Sequence, residues 1–492
     1  MASVGAAHDC VWRQEADGLR AELSAATERL GALEAQLEKL QRHRFGRRSE
    51  KMPTVAESLR RETSREETLK LREANRKQKE SLAEVKIQHV VAPEKRRCPK
   101  CGGTDLKKVG EGKQTVVYEY VPARLEKQIH IQETLACGCG ECVIVADGAP
   151  KPIEGGQYGP GFIAHVVTAK CADSIPLYRL AKSYQREGIP VARTTLGDLF
   201  HAAAKELAPL WERMLKCIAQ NELVLADETP IRVLDEGKTR KGYLWTFRTS
   251  RGSENEQLIG YCFSPTRSGE TPIRILGGTQ GYLMVDGYTG YNRVTLPEGR
   301  TRVGCWAHAR RAVFESLKTA PIAQELLNLI LELYKVELDA KDKQLLGTDA
   351  HLELRKSRSA VVIETIHEWL VVQKPQHLPK SPLGVAISYI QGQWMPLTRF
   401  LENARLPLDN NASEGALRVA ALGRKNFLFV GHDAAGANLA GLYSLVATCE
   451  ANGVNPQAYL ADVLLRVQTH PQNRIDELLP HRWAPAPALN SS

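Results

Sequence analysis

Three carboxylates, Asp227, Asp286 and Glu414, stand in contexts that suit metal ligands. Asp227 and Asp286 each end a short apolar run, which is typical of a buried strand, and Glu414 stands just before a helical stretch. Two strands that each deliver an Asp to one edge of a sheet, with a Glu from a later helix, can hold two divalent cations for phosphoryl transfer. Such a site breaks and joins nucleic-acid backbones. The sequence therefore favours a site that binds two divalent cations.

Each of these residues also has a plainer explanation, because an Asp after a strand is often a turn residue or a helix cap. Their spacing adds to the case for a site. The two Asp residues are 59 apart, and Glu414 follows Asp286 by 128 residues. Residues 320–402, in the longer interval, have a mostly helical pattern. We therefore predict an α/β catalytic domain with a helical insertion before the helix that carries Glu414.

The positive charge of the chain is concentrated near its N-terminus. The 492 residues carry a formal charge of +9, whereas residues 39–113 alone contain 22 Lys and Arg against 11 Asp and Glu. This local surplus attracts polyanions, and DNA or RNA comes first because binding releases condensed counterions. A solvated helix of mixed charge is the alternative. The chain has no run of about 18 apolar residues and no cationic leader, so we expect a cytoplasmic protein without a membrane span.

Five of the eleven cysteines cluster in two groups, which in a cytoplasmic chain favours metal over disulfides. Cys98 and Cys101 form a Cys-x-x-Cys pair followed by Gly, which is typical of a zinc knuckle. The second group offers three thiols, Cys137, Cys139 and Cys142. Cys139 and Cys142 match the spacing of the first pair, and Cys137 is the substitute for Cys139. We predict a zinc ribbon that holds one structural Zn²⁺.

Leucines near the N-terminus repeat at spacings of four and three. The seam runs from Leu19 to Leu40 over about three heptads, and it predicts a short coiled coil that pairs two chains. A helix packed on the chain's own core is the alternative. Arg44, Arg47 and Arg48 follow the seam. They begin a polar, charged arm that would become ordered on DNA.

Residues 155–215 have a helical pattern. Two predicted helices are joined to a third through Gly188-Ile-Pro190, and the third opens with Arg193-Thr-Thr195. A basic helix, a Gly turn and a helix that opens with Arg and Thr are typical of a helix-turn-helix, whose second helix enters a DNA groove. A purely structural bundle is the alternative.

Strands dominate from residue 221 to about 317, and five are predicted at 223–226, 243–248, 257–263, 282–285 and 301–305. The predicted fold class is multidomain α/β. The chain divides into a coiled-coil helix, a basic arm, a zinc ribbon, a helix-turn-helix, a catalytic core in two parts, a helical insertion, and a C-terminal helical segment with a tail. Their boundaries, in the same order, are 1–45, 46–92, 93–150, 155–215, 220–318 with 406–430, 319–405, and 431–492.

Several motifs together resemble those of a bacterial insertion-sequence transposase of the DDE type, in the IS66 family. They are Phe45-Gly-Arg-Arg-Ser-Glu-Lys51, the cysteine ribbon, Leu225-Ala-Asp-Glu-Thr-Pro230, Val285-Asp-Gly-Tyr-Thr-Gly-Tyr291, Cys305-Trp-Ala-His-Ala-Arg-Arg311, Asp409-Asn-Asn-Ala-Ser-Glu414 and Gly423-Arg-Lys-Asn-Phe-Leu-Phe-Val-Gly431. The order and number of the motifs make the resemblance specific. It runs from the leucine seam to about residue 465.

The resemblance implies an RNase H-like catalytic core that uses Mg²⁺ to cut DNA at the ends of the element and to join them to a target. Asp227, Asp286 and Glu414 stand where the catalytic acids of the family stand, and Cys305 and His308 would order the edge of the active site. The expected partners are double-stranded DNA, a second copy of the chain and accessory proteins of the same element, at the nucleoid. The residues expected to contact DNA are Arg44, Arg47, Arg48, Arg179, Lys182, Arg186, Arg193, Thr194, Thr195, Arg310, Arg311, Arg418, Arg424 and Lys425.

Three other functions fit some of these features. A nuclease or resolvase on the same core would only hydrolyse DNA, and an inactive, transposase-derived regulator would only bind it. The complete acidic triad argues against the regulator. A zinc-dependent hydrolase is disfavoured, because the predicted zinc site is all thiolate and leaves no open position.

Overall fold

The computed structural model describes residues 151–250, 257–295 and 297–485, together with short stretches nearer the N-terminus. The cysteines predicted to bind zinc, and Arg44, Arg47 and Arg48, lie outside the described residues. Those described between Gly18 and Gly31 are helical, and Leu19 and Leu23 are 61% and 69% exposed. By contact density, residues 56–128 form a unit of their own and the rest of the chain forms another.

A two-stranded antiparallel hairpin, β1 (Thr134–Ala136) and β2 (Val143–Val145), lies in the segment predicted as a zinc ribbon. The main sheet has five strands, which are β3 (Leu223–Asp235), β4 (Lys238–Thr249), β5 (Ile259–Ser264), β6 (Tyr282–Met284) and β7 (Thr301–Val303). Their order across the sheet is β5-β4-β3-β6-β7. The first three strands pair antiparallel, while β6 and β7 join parallel to β3. The mixed α/β class and all five predicted strands are confirmed.

Strand β3 is longer than predicted, so Asp227 lies inside the strand and not at its end. The strand continues as one arm of a hairpin with β4, and Glu236 and Gly237 make the turn with φ of 38° and 80°. Two central residues with positive φ suit a tight hairpin, because their twist matches that of the flanking strands. Strand β6 pairs with residues 223–225 of β3, so Asp227 stands just past the end of the parallel pairing.

The three helices predicted before the sheet are present, as α1 (Pro160–Cys171), α2 (Leu177–Arg186) and α3 (Arg193–Gln220). Gly188 has a φ of 76° in the turn between α2 and α3, a conformation that costs Gly little. Leu180, Tyr184 and Leu196 belong to a small core that holds this turn closed. The third helix is 28 residues long and reaches the start of β3.

Helix α4 (Glu270–Leu276) connects β5 to β6. After β7 the chain is helical as predicted, with α5 (Trp306–Ser316), α6 (Ala323–Asp342), α7 (Asp349–Leu354), α8 (Ala360–Gln373), α9 (Pro382–Gly392) and α10 (Trp394–Thr398). Arg355 is buried among these helices. It donates to both carboxylate oxygens of Glu337 at 2.7 Å and to the carbonyl oxygens of Phe400 and Asn403.

Three helices complete the described chain, namely α11 (Asn411–Phe427), α12 (Asp433–Ala451) and α13 (Pro456–Arg466). They share one hydrophobic core with α1, α3 and the sheet, so the core crosses several of the predicted domain boundaries. Among the described residues, no helix is both long enough and apolar enough to cross a membrane.

Helix α12 covers the open edge of β5 through side chains four residues apart. Ser444 and Thr448 accept hydrogen bonds from the backbone N–H groups of Tyr261 and Ile259, at 2.8 and 3.0 Å. Asn452 accepts from Gln257 N–H and donates to its carbonyl oxygen. Four helical residues rise about 6 Å, close to the span of two strand residues. These hydrogen bonds, called the α12 ladder below, therefore satisfy backbone groups of an edge strand that would otherwise be open to pairing with another strand.

Candidate active site

The three carboxylates act on one another electrostatically. The pKa of Asp227 is raised from 3.8 to about 7, first by burial and then by the negative charge of the neighbouring Glu228. The charges of Asp286 and Glu414 raise it further, while a backbone hydrogen bond from Glu228 lowers it. Strands β3 and β6 and helix α11 thus bring their acidic residues to one region, where negative charge is poorly compensated.

Asp227 is held by its strand. Its Oδ1 accepts from the N–H of Glu228 at 2.8 Å, and its partner across β4 is Thr246, which is fully buried. Glu228 follows Asp227 in the strand and therefore points to the other face. Its side chain is 2% exposed and accepts from Arg267 Nε at 2.8 Å and from the Tyr291 hydroxyl at 2.7 Å. Glu228 is thus paired, whereas Asp227 faces the other acids.

Asp286 lies two residues past the end of β6, in a turn that its own side chain closes. Its Oδ1 accepts from the N–H of Tyr288 at 2.9 Å. Arg302, on β7, donates to the carbonyl oxygens of Asp286 and Tyr288 at 2.8 and 2.6 Å. A Cβ at Gly287 would come within 2.7 Å of the ring of Tyr389, a residue of α9. The helical insertion therefore packs directly against the turn that carries Asp286.

Glu414 lies in the first turn of α11, where the helix dipole favours a carboxylate. Nη2 of Arg311 lies 3.2 Å from Oε1 and 3.1 Å from Oε2 of Glu414. Nδ1 of His308 lies 3.9 Å from Oε1. Both residues come from α5, so this helix faces the carboxylate that α11 presents.

Cys305 and Asn410 join the two helices. Cys305 is buried immediately before α5, and its Sγ accepts from the N–H of Asn410 at 3.2 Å. Burial raises the pKa of the Cys305 thiol to about 12, although backbone hydrogen bonds from Asn410, His308 and Ala307 lower it. The thiol is therefore neutral near pH 7 and suits packing better than metal ligation. This geometry is consistent with the ordering role expected of Cys305 and His308.

The residues predicted to contact DNA fall into separate groups. On α2 and α3, Arg179, Lys182, Arg186, Arg193 and Thr194 are exposed, and Thr195 is half-buried. Each could therefore meet a DNA surface that lies against these helices.

The other predicted contacts lie near the acids. Arg418 and Lys425 are exposed on α11. Arg424 donates to Thr229 Oγ1 at 3.2 Å and to the carbonyl oxygen of Pro230 at 2.7 Å, so it ties α11 to β3. Arg310 corrects our expectation, because it is 6% exposed and burial lowers the pKa of its guanidinium. A DNA phosphate cannot reach it there.

Sequence reasoning missed four residues around the acids, namely Glu228, Arg302, Tyr389 and Asn410. Glu228 follows Asp227 directly, and its alternation with Asp227 in a strand was a usable signal. The contacts of the other three join segments that are far apart in sequence, so only the fold reveals them.

The donor chemistry fits divalent cations, because carboxylate oxygens are the ligands that Mg²⁺ prefers and the charges of Glu228, Asp286 and Glu414 all act on Asp227. The side chains are not arranged as a closed ligand set, since in the described part of the chain no three or more His, Cys, Asp or Glu side chains are drawn together as metal ligands. Like charges repel, and Arg311 holds Glu414 from the side of α5. Asp227, Asp286 and Glu414 are the residues that would hold Mg²⁺.

Models of known protein families match most of the chain. The model described as "Transposase IS66 family" matches residues 155–438, and the "IS66 C-terminal element" matches residues 444–481. The "zinc-finger binding domain of transposase IS66" matches residues 95–140, which include Cys98, Cys101, Cys137 and Cys139. A model described as "Transposase C of IS166 homeodomain" matches residues 32–100.

Curated relatives come from Sinorhizobium fredii (strain NBRC 101917 / NGR234). "Uncharacterized protein y4jD" is 32% identical over 411 residues, which cover 80% of this chain and 79% of that protein. "Uncharacterized protein y4hP" is 29% identical over 503 residues, which cover 93% of this chain and 89% of that protein. The family matches run from the N-terminal region through the segment that carries all three acids to the C-terminal helices. The chain therefore belongs to the IS66 family of transposases.

Proposed function

We propose that this transposase cuts DNA at the ends of its insertion sequence and joins those ends to target DNA. Asp227, Asp286 and Glu414 are the metal-binding catalytic residues in this proposal. The observation that carries it is the placement of the acids: Asp227 stands just past the parallel pairing of β3 with β6, Asp286 two residues past the end of β6, and Glu414 in the first turn of α11. Three acids that are 59 and 128 residues apart in sequence influence one another only because the fold gathers them.

An RNase H-like core is part of the proposal. The order β5-β4-β3-β6-β7, with three antiparallel strands followed by two parallel ones, supports it. So does the position of the acids on the central strand β3, after its neighbour β6 and on a later helix. Functional groups collect where parallel strands end, and Asp227 and Asp286 both stand there.

Two Mg²⁺ ions, when bound, would activate the attacking oxygen and stabilise the oxygen that leaves phosphorus. The protein's own groups have other tasks. Arg418 and Lys425 project from the helix that carries Glu414 and are available for phosphates beside the scissile bond. Arg311 can exchange Glu414 for a phosphate, because a guanidinium binds either anion. No covalent protein intermediate is required, so no Ser or Tyr nucleophile is assigned.

Recognition of the DNA ends is assigned to the helix-turn-helix, the zinc ribbon and the basic arm. The exposed Arg179, Lys182 and Arg186 on α2, and Arg193 at the start of α3, form a basic face. One Zn²⁺ in the ribbon would fold that module. We assign this work to the cytoplasm, at the nucleoid, with accessory proteins of the element as further partners.

Pairing of two DNA ends calls for two copies of the chain. Leu19 and Leu23 are exposed on a helix, so a second copy of the same seam could cover them. A seam of about three heptads is weak alone, and two bound DNA ends would strengthen it by raising the effective concentration.

The test uses Asp227→Asn, Asp286→Asn and Glu414→Gln, with Asp235→Asn as the matched control. Asp235 lies on the same strand as Asp227 but is 45% exposed at the hairpin end. Each triad variant should lose Mg²⁺-dependent cleavage of an element end while binding that end as tightly as the wild type does. Asp235→Asn should retain both. Substantial cutting by a triad variant would remove that residue from the site.

A precut end distinguishes the rival functions. The wild type should join this end to a target duplex, whereas a nuclease would give no joined product. A wild-type protein that binds the end but neither cuts nor joins it would instead be the inactive regulator.

A further inference from the structure

Asn410 lies between the strand that carries Asp227 and the helix that carries Glu414, and it is 1% exposed. Its Nδ2 donates to the carbonyl oxygen of Ala226 at 2.9 Å, one residue before Asp227. Its own carbonyl oxygen accepts from the N–H groups of Ser413 and Glu414 at 3.0 and 3.2 Å. One residue therefore hydrogen-bonds the backbone next to Asp227 and the backbone of Glu414.

A fourth hydrogen bond ties the same residue to the start of α5. The N–H of Asn410 donates to Cys305 Sγ at 3.2 Å, immediately before the helix that carries His308 and Arg311. Both of those side chains face Glu414. Asn410 thus joins the three elements whose side chains meet at the acids.

The position is not optimised for stability alone. Asn410 Oδ1 is buried and has no hydrogen-bond partner among the described residues. A buried acceptor without a partner typically costs about 1–3 kcal/mol. The residue has to supply something else in return for that cost, and here its side chain links the start of α11 to β3.

We propose that Asn410 is a positioning residue that sets the separation of Asp227 and Glu414. The inference rests on the proposed catalytic role of these two carboxylates. Asn410 touches neither the reacting DNA nor a metal ion in this proposal; it acts through the backbone on either side. Losing the bond from Nδ2 to Ala226 would let α11 and β3 move relative to each other, and the two acids would then bind the same ion less well.

Asn452 offers a matched control for the loss of a buried hydrogen bond. Its Nδ2 donates to the carbonyl oxygen of Gln257 at 2.7 Å, so it also ties a helix end to the sheet, just before β5. It stands immediately after α12, and none of the hydrogen bonds described for its side chain reaches β3, α5 or α11. Asn452→Ala should therefore lose stability to a similar degree without disturbing the separation of Asp227 and Glu414.

The experiment uses the full-length chain as wild type, Asn410→Ala, Asn410→Asp, Asn452→Ala and Asp227→Asn. Calorimetric titration with Mn²⁺ in the absence of DNA measures metal affinity, and thermal unfolding measures stability. Single-turnover cleavage of an element end measures the rate of the chemical step. Asn410→Ala should bind Mn²⁺ about 10- to 100-fold more weakly and cut more slowly by a similar factor. Its affinity for the DNA end should not change, and Asn452→Ala should bind Mn²⁺ and cut as the wild type does.

Asn410→Asp tests the donor itself, because Asp has nearly the same size but presents an acceptor to the Ala226 carbonyl oxygen. The added negative charge beside the acids would by itself strengthen Mn²⁺ binding, so a loss of Mn²⁺ affinity at least as strong as with Ala has to come from the lost bond to Ala226. Equal Mn²⁺ affinity in Asn410→Ala and Asn452→Ala overturns the proposal. So does loss of the folded state in both Asn410 variants, which would make Asn410 a residue of the fold.

Asp227→Asn separates failure of this inference from failure of the proposed function. If Asp227→Asn still cuts with metal, the catalytic assignment itself is wrong. If Asp227→Asn is inactive while Asn410→Ala binds Mn²⁺ normally, the catalytic assignment stands and only the positioning role is lost.

Discussion

Arg311 and Glu414 form an ion pair in which one guanidinium nitrogen bridges both carboxylate oxygens, at 3.2 and 3.1 Å. The pair joins α5 to α11 at the edge of the acidic region. A cation that needs Glu414 as a ligand has to compete with Arg311 for the same two oxygens.

Removing the competitor should strengthen metal binding. We expect Arg311→Gln to bind Mn²⁺ up to about fivefold more tightly in the absence of DNA, since an exposed ion pair contributes at most about 1 kcal/mol. The same variant should bind the DNA end more weakly, because Gln carries no charge with which to hold a phosphate. Calorimetry with Mn²⁺ and a DNA titration at fixed salt measure the two effects.

Arg358→Gln is the control for this prediction. Arg358 is exposed to the same extent, 44%, and pairs with Asp339 at 2.6 Å within the helical insertion. It should leave both affinities unchanged. Weaker Mn²⁺ binding by Arg311→Gln would mean that Arg311 supports the metal site and does not compete with it.

The raised pKa of Asp227 predicts that the free energy of unfolding depends on pH. Between its ordinary value of 3.8 and its folded value of about 7, the folded state holds a proton that the unfolded state releases. The free energy of unfolding should therefore fall as pH rises through this window. Asp227→Asn removes the effect. In EDTA, its stability relative to the wild type should grow by on the order of 1–2 kcal/mol between pH 5 and pH 8, less than the full shift implies because the side chain is partly solvated.

Urea unfolding at several pH values measures this difference. Asp235→Asn is again the control, because Asp235 lies on the same strand with a side chain that is 45% exposed at the hairpin end. A difference for Asp227→Asn that does not change with pH would show that the pKa of Asp227 is not raised in the folded protein.

The α12 ladder should be a source of stability. Thr448→Val keeps the shape of the side chain but leaves the buried N–H of Ile259 without its acceptor. We expect a loss of about 1–3 kcal/mol in the free energy of unfolding. Thr365→Val is the comparison, because the exposed hydroxyl of Thr365 bonds only its own helix, at Val361. Equal losses in the two variants would contradict the edge-covering role.

Zinc content tests the ribbon. Four thiolates hold one tetrahedral ion, so elemental analysis should give about one zinc per chain. Cys98→Ser should lower that value and loosen the N-terminal region to proteolysis. Cys137→Ser and Cys139→Ser should differ, and the variant that loses zinc identifies the ligand. Full zinc in Cys98→Ser would rule out the predicted site.

The basic face of the helix-turn-helix should set the salt dependence of end binding. Lys182→Gln with Arg186→Gln should weaken binding to any duplex and reduce the slope of log affinity against log salt by about 1 for each phosphate that the variant no longer neutralises. Lys356→Gln, an exposed change in the insertion, serves as control. An unchanged slope in the double variant would place the DNA elsewhere on the protein.

The sequence predicted the five strands well, because each contains an apolar, β-branched or aromatic run. It missed the extension of β3 to Asp235, since the buried run ends at Ala226 and beyond it only Ile231 and Val233 are buried. Asp235-Glu-Gly-Lys238 was a usable turn signal, because Gly at the second central position favours a tight hairpin. Asp227 was therefore predicted at the end of the strand, whereas it lies inside it.

The sequence allowed the three acids to be proposed as a site, but it did not reveal the residues that surround them. A carboxylate that follows an apolar run can be recognised in the sequence itself. Asn410 and Tyr389 cannot, because Asn410 bonds Ala226, 184 positions away, and Tyr389 contacts Gly287 from another element. The buried state of Arg310 was also beyond prediction, because its neighbour Arg311 has the same chemistry and faces Glu414.

Helix α3 begins with Arg193 on the proposed DNA-reading face and ends at Gln220, seven residues before Asp227. Its inner side, including Leu207, Leu210 and Met214, is packed into the core along most of its length. A helix of 28 residues is about 42 Å long, which matches roughly twelve base pairs of duplex at about 3.4 Å each. In the proposed function, this helix would keep a constant distance between the residues that read DNA and Asp227. Moving the bound sequence along the DNA should move the cut with it, base pair for base pair.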